Sequence, residues 1–309
     1  IKGQESAKRG LEIAAAGGHN IIMYGPPGTG KTMLAKAFSN LLPELSFEEK
    51  LEVTSIYSIG GMLAEGIINE PPFRSPHHTA SYVSLVGGGA NLKPGEVTMA
   101  HKGVLFMDEF PEFDKKVLES LRQPLEDREV TVSRAKGSVR YPAHFILVAT
   151  MNPCSCGNYG VKGKECVCSP QAIEKYKRKL SGPIMDRIDL WVEVSKVEYE
   201  KLTESRDLHE STIKIKPRVL KARMAQELRY KDLKIKTNAE LSSKDLVKNI
   251  VLSPKIKETL NDFAKKLDLS ARSYHRIIKL ARTIADLEGT NDISENHILE
   301  ALQYRPKKY

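Results

Sequence analysis

Four short, almost unbroken apolar runs punctuate the first two-thirds of the chain: Ile21–Tyr24, Gly103–Met107, Phe145–Thr150 and Leu190–Val194. Each is bounded by polar or turn-forming residues and is too short for a helix, the pattern of strands buried on both faces. Segments with helical periodicity lie between them, and this alternation predicts a mostly parallel sheet with helices packed on both sides. Beyond Pro217 the strand pattern stops. Apolar positions then recur at helical spacing over Arg218–Leu228, Ser242–Ile250, Pro254–Leu267, Ser273–Leu287 and Ser294–Gln303. Ser294 and Glu295 ahead of Ile298, Leu299 and Leu302 have the form of a capped helix start. The pattern therefore predicts an α/β domain over residues 1–196, a polar linker over 197–216 and a small helical bundle over 217–309.

Composition narrows this only a little. With 309 residues, 40% apolar and 28% charged, the chain has the profile of a globular protein large enough for two domains. No stretch approaches the ~20 apolar residues of a membrane span and no signal peptide is visible, so a cytoplasmic address without membrane contact is expected. The first residue is Ile and a motif follows almost at once, which suggests that an N-terminal portion is missing. Charge is distributed unevenly. Residues 1–200 hold 24 basic and 24 acidic side chains, whereas residues 201–309 hold 24 and 15, so the whole surplus of +9 lies in the helical part. Such a surface suits a polyanion such as nucleic acid, and equally a solvated lysine-rich helical face.

The chemistry is concentrated at the ends of the expected strands. After the first comes GPPGTGKT, Gly25 to Thr32, followed by the helical pattern that opens at Met33. Gly25, Gly28 and Gly30 permit backbone angles at which successive N–H groups turn inward, so Gly25, Pro26, Pro27, Gly28, Thr29, Gly30, Lys31, Thr32 and Met33 form a candidate phosphate cradle at a helix N-terminus. Lys31 would neutralise β- and γ-phosphate charge, and the Thr32 hydroxyl would bind Mg²⁺. The second strand delivers Asp108 and Glu109 to the sheet edge. Asp108 is expected on Mg²⁺, with Glu109 orienting and polarising the attacking water. The third ends at Asn152, whose uncharged amide can position water beside a γ-phosphate without adding repulsion.

Two further segments change the picture. EVTVSRAKGSVRY, residues 129–141, alternates about a Lys136-Gly137 turn and predicts a β-hairpin with Arg134, Lys136 and Arg140 near its tip. A cationic tip suits a nucleic-acid backbone, and a solvated turn is the alternative. All four cysteines, Cys154, Cys156, Cys166 and Cys168, fall in one loop with the spacing CxCx9CxC. Four soft ligands suit a closed, structural Zn²⁺ site. A single residue within each pair departs from common zinc-finger spacing, and unligated cysteines remain the alternative.

In this order, GPPGTGKT, VLFMDE, ATMN, GPIMDRID and SARSYHR resemble the motifs of the AAA+ ATPases. Over nearly its full length the chain resembles their magnesium chelatase-like branch, specifically the YifB/ComM family. GQESAKRGLEIAAAGGHN, PFRSPHHTAS, LVGGG, PGEVTMAHKGVLFMDE, ARTIADLEG and HILEALQYR carry that narrower likeness. The resemblance implies a P-loop AAA+ sheet flanked by helices and followed by a helical lid, binding ATP and Mg²⁺ in a ring, hexameric in similar proteins. It implies that Arg187, by itself readable as an ion-pair partner of Asp186 or Asp189, is an arginine finger for the neighbouring subunit's ATP. It further implies that Arg272 reaches over the nucleotide from the lid, Arg276 being structural or interfacial. Family members generally carry an N-terminal Lon-protease-like domain. They are pictured as DNA motors promoting branch migration during integration of transforming DNA, with recombination proteins as partners. The more distant chelatase I subunits use the ring to drive metal insertion through partner subunits. A nucleotide-gated module with negligible turnover is the third expectation.

Overall fold

The computed structural model describes residues 3–89, 92–134, 137–161, 163–195 and 211–306. Its centre is a five-stranded, all-parallel sheet ordered β2-β5-β8-β1-β9. The strands are Ile21–Tyr24 (β1), Phe73–Arg74 (β2), Val104–Met107 (β5), Ile146–Met151 (β8) and Leu190–Glu193 (β9). Phe73–Arg74, lacking a long apolar run, is the strand the hydrophobic pattern leaves out. Two short antiparallel pairs stand apart: Gly87–Gly88 with Lys93–Pro94 (β3, β4), and Glu129–Arg134 with Gly137–Pro142 (β6, β7). The latter is a hairpin closing at Arg134 opposite Gly137.

The sheet is buried on both faces, so its strands need apolar residues at every position. Alternate residues serve different cores. Met23, Val148 and Val192 pack into one cluster, whereas Ile22, Ala149 and Trp191 pack into the other. The first cluster continues without a break through helix Glu5–Gly17 into the C-terminal helices, where Val219, Leu260, Ile284 and Ile298 join it. The helical part thus shares the core of one sheet face.

The C-terminal helices are Thr212–Arg229, Ser243–Asn249, Pro254–Lys266, Ala271–Glu288 and Glu295–Gln303. The hydroxyls of Ser242, Ser253, Ser270 and Ser294 each accept the N–H three residues on, satisfying a helix-terminal donor. The first helix begins at Thr212, so Pro217 lies inside it instead of marking its start. Proline at this sixth position removes one backbone donor and crowds the carbonyl four residues earlier, which weakens the helix locally without ending it. Residues 197–210 of the expected linker lie outside the described residues.

Candidate active site

Parallel pairing brings the C-terminal ends of β1, β5 and β8 side by side, and the candidate chemistry collects there. The loop after β1 turns on Gly28 and Gly30, at φ 77° and 87°, a region that side chains rarely tolerate. Gly25 is needed for a different reason: a Cβ would lie 2.1 Å from the Val194 carbonyl oxygen. The Thr29 hydroxyl donates to the Pro26 carbonyl at 3.0 Å and tightens the loop. Pro27, Thr32 and Met33 are exposed, leaving the outer side of the cradle and its helix start open.

Lys31 is buried, and its ammonium donates to the carbonyls of Gly25 (2.7 Å) and Pro26 (2.8 Å) and to Asn152 Oδ1 (3.1 Å). Burial lowers its pKa, an effect opposed by the charges of Asp108 and Glu109. Thr32 Oγ1 donates to Asp108 Oδ2 at 2.9 Å. Hydroxyl and carboxylate oxygens held this close form a hard-donor pair that fits Mg²⁺. Thus the cradle lysine bonds the third-strand amide, and beside it the two expected metal ligands bond each other.

A residue that motif reading missed joins Asp108 to Glu109. The buried Thr150 hydroxyl, two residues before Asn152, donates to Asp108 Oδ1 and accepts the Glu109 N–H at 3.0 Å. Glu109 has φ 52°, a left-handed conformation that costs a non-glycine residue roughly 1–2 kcal/mol. Thr150 therefore fixes one expected carboxylate through its oxygen and the other through its backbone. A hydroxyl within the apolar run FILVAT was the only sequence signal. His78, from the PFRSPHHTAS segment, also approaches, with Nδ1 4.0 Å from Glu109 Oε2.

Arg187 and Arg272 lie elsewhere and together. Both guanidinium groups bind the Glu126 carboxylate, Arg272 at 2.9 Å. Glu126 is thereby held below its usual carboxylate range, chiefly through the Arg187 hydrogen bond. Arg187 pairs with neither Asp186 nor Asp189 across the described residues; its other terminal nitrogen donates to the Pro183 carbonyl at 2.6 Å. Because Ile21 is in register with Leu190, Arg187 precedes the start of β9 whereas the cradle follows the end of β1. Four strand residues at ~3.3 Å each separate these sheet edges by about 13 Å. Through Glu126, Arg272 is joined to Arg187, whose backbone lies at the edge remote from the P-loop. Arg276 is buried and donates to the Ile188 carbonyl at 2.8 Å. Asn20, another residue missed in sequence, accepts the Leu147 N–H (2.9 Å) and donates to the Arg187 carbonyl (3.0 Å), tying two strands to the arginine turn.

The four cysteine sulfurs lie within 4.8 Å of one another. Cys154 is 3.4 Å from Cys156 and 3.8 Å from Cys166, and Cys156 is 3.6 Å from Cys166. A tetrahedron of Zn–S bonds of ~2.3 Å has edges of about 3.8 Å, so this donor set fits zinc. Hydrogen bonding from the Asn158 amide, then Cys154, brings the Cys156 thiol down to about 6, whereas the Cys166 thiol in the same cluster is pushed up to about 12. On the hairpin, Arg140 is exposed and 3.6 Å from Glu129; Arg134 ends β6 and Lys136 lies outside the described residues.

Comparisons with known proteins agree on a single family. The model for magnesium chelatase, subunit ChlI, matches residues 1–202, and that for the ChlI C-terminal region matches residues 209–305. Competence protein ComM of Haemophilus influenzae is 46% identical over 99% of this chain and 59% of its own length. YifB of Escherichia coli is 44% identical over the same shares. The magnesium-chelatase 38 kDa subunit of Rhodobacter capsulatus is 25% identical over 96% of this chain and 83% of its own. The chain therefore spans about three-fifths of the length of ComM and YifB. Among the described residues, no helix is long and apolar enough to cross a membrane.

Proposed function

Since this chain belongs to the magnesium chelatase ChlI family of AAA+ proteins, we propose that it is an ATP-hydrolysing motor that assembles head-to-tail into a ring, hexameric in this reading, and acts on DNA. The observation that carries the ATPase reading is the pair of hydrogen-bonded sets at the sheet edge, Lys31 with Asn152, and Thr32 through Asp108 and Thr150 to the Glu109 amide, which start from adjacent residues of the cradle. Gly25 to Met33 would cradle the triphosphate, with Lys31 exchanging its carbonyl partners for phosphate oxygens. Thr32 and Asp108 would hold Mg²⁺, which neutralises charge on the phosphates when bound. Glu109 would orient the attacking water and take its proton, while Asn152 fixes that water by hydrogen bonds. Arg187 and Arg272, on the remote sheet edge, would act on a neighbour's phosphates and complete its site only on assembly.

The basic surplus beyond residue 200 and the exposed Arg140 on its hairpin favour a polyanionic track. The 46% identity to a protein named for competence favours DNA over a tetrapyrrole-linked partner, because the chelatase subunit stands at 25%. We include structural Zn²⁺ on the cysteine cluster and recombination proteins as partners in this reading. ATPase rate should be measured against protein concentration, with and without single-stranded or branched DNA. Turnover per protomer should rise with concentration and rise further with DNA. A rate per protomer independent of concentration refutes the shared site; indifference to DNA, with stimulation by a chelatase partner subunit, transfers the motor to metal insertion.

A further inference from the structure

The cysteine loop touches the candidate ATP cradle at two separate points. Asn152, which receives the Lys31 ammonium, stands two residues before Cys154, so the loop begins directly at the end of β8. The second contact is through space. Gly157, at φ 78°, lies so close to Pro27 of the cradle that a Cβ would stand 2.7 Å from Pro27 Cδ. The same glycine closes a tight turn by donating its N–H to the Cys154 carbonyl at 3.0 Å. That turn contains Cys154 and Cys156, whose sulfurs lie 3.4 Å apart. An ion bound by both sulfurs would fix the turn, and its outer side is the surface on which Pro27 rests.

We propose that the four-cysteine cluster is a metal-dependent clamp on the P-loop: Zn²⁺ held by Cys154, Cys156, Cys166 and Cys168 keeps Gly157 against Pro27 and Asn152 against Lys31, and so sets the affinity for ATP. The proposal rests on reading Gly25–Thr32 as the ATP cradle. A loop rich in glycine, with Gly160 and Gly163 also at positive φ, has little stiffness of its own between its cysteine pairs. Four metal bonds would supply that stiffness. Loss of the metal would release the turn from Pro27, and ATP would then have to order the loop as it binds.

The test uses the full chain, with zinc content measured by elemental mass spectrometry and ATP binding by calorimetry. Both are read before chelation, after chelation and desalting, and after Zn²⁺ is restored. One zinc per chain is expected. Its removal should weaken ATP binding by about three- to tenfold, the scale of losing one ordered loop, and restoration should reverse this. Gly157→Ala separates the clamp from the metal: it should keep its zinc and still bind ATP several-fold more weakly. Far-UV circular dichroism checks that each sample is folded. Unchanged ATP affinity after zinc loss, or in a zinc-replete G157A chain, overturns the clamp and leaves the metal site standing. Absence of thiol-bound zinc overturns both of these while sparing the ATPase reading. A zinc-replete wild-type chain that fails to bind ATP overturns the cradle itself.

Discussion

Thr150→Val is the sharpest probe of the proposed hydrolytic site, because it removes one oxygen atom and almost no volume. In the structure that oxygen donates to Asp108 and accepts the Glu109 N–H, and the side chain is buried. A hydrogen bond to a charged group contributes about 1.5–3 kcal/mol, and the Glu109 N–H would lose its partner as well. Taking only the bond to Asp108 as expressed in the transition state, kcat should fall by about ten- to 150-fold, at ~1.4 kcal/mol per factor of ten. Steady-state ATP hydrolysis should be measured above the concentration at which rings form. KM for ATP should stay within a few-fold, since Lys31 and the Thr29-braced loop are untouched. Thr150→Ser keeps the oxygen and should recover most of the rate. Glu109→Gln provides the lower bound, binding ATP without turning it over. A melting temperature near wild type separates lost positioning from lost fold. A valine variant with the wild-type kcat, or a serine variant as slow as valine, would refute the assignment of Thr150 as a positioning residue.

Other expectations follow from the same geometry. Arg187→Ala should lower turnover by at least ~10³-fold, the lower range for an arginine finger. Mixing it with Glu109→Gln chains should restore activity where a finger-bearing subunit adjoins an intact cradle, and absence of recovery argues against action between subunits. Asn20→Ala removes the acceptor for Leu147 N–H and the donor to the Arg187 carbonyl; denaturant melts should show a loss of about 2–4 kcal/mol, from two bonds at 1–2 kcal/mol each. Glu49 is partly desolvated, which would raise its pKa. Bonds from Lys236 and the Ser46 amide, with the charges of Lys236 and Lys102, outweigh this and hold it at about 2 against an ordinary 4.5. Its contribution is therefore complete above pH 4.5 and disappears as pH falls toward 2. With Lys236 half exposed, this is worth about 1–2 kcal/mol, and Glu49→Gln should flatten the stability profile in that window.

Unbroken apolar runs located β1, β5, β8 and β9 well because strands covered on both faces leave no room for polar alternation. Phe73–Arg74 escaped because two residues carry no period. The family motifs pick out Lys31 and Asn152, which share one hydrogen bond, and Thr32 and Asp108, which share another. Sequence could not reveal that Arg187 and Arg272, separated by 85 positions, bind the same carboxylate. That contact depends on how the helical part is seated on one sheet face, a tertiary choice that no local spacing encodes. Thr150 and Asn20 were hidden for a related reason: each looks like an ordinary strand or turn residue until the neighbouring strand supplies its partner. The likeness in sequence implies that Arg272 reaches over the nucleotide from the lid, and spacing gave no hint of its contact with Glu126.

The placement of cradle and guanidinium pair at opposite ends of one sheet restricts the symmetry of any productive assembly. A two-fold axis that apposes matching sheet edges would set anion seat against anion seat or cation against cation, completing neither. Translation of the pattern from one copy to the next satisfies every junction except those at the free ends of an open stack. Closing that stack on itself eliminates the unfinished ends, and an arc with one member missing would leave one seat without its cations and one pair of cations without a seat.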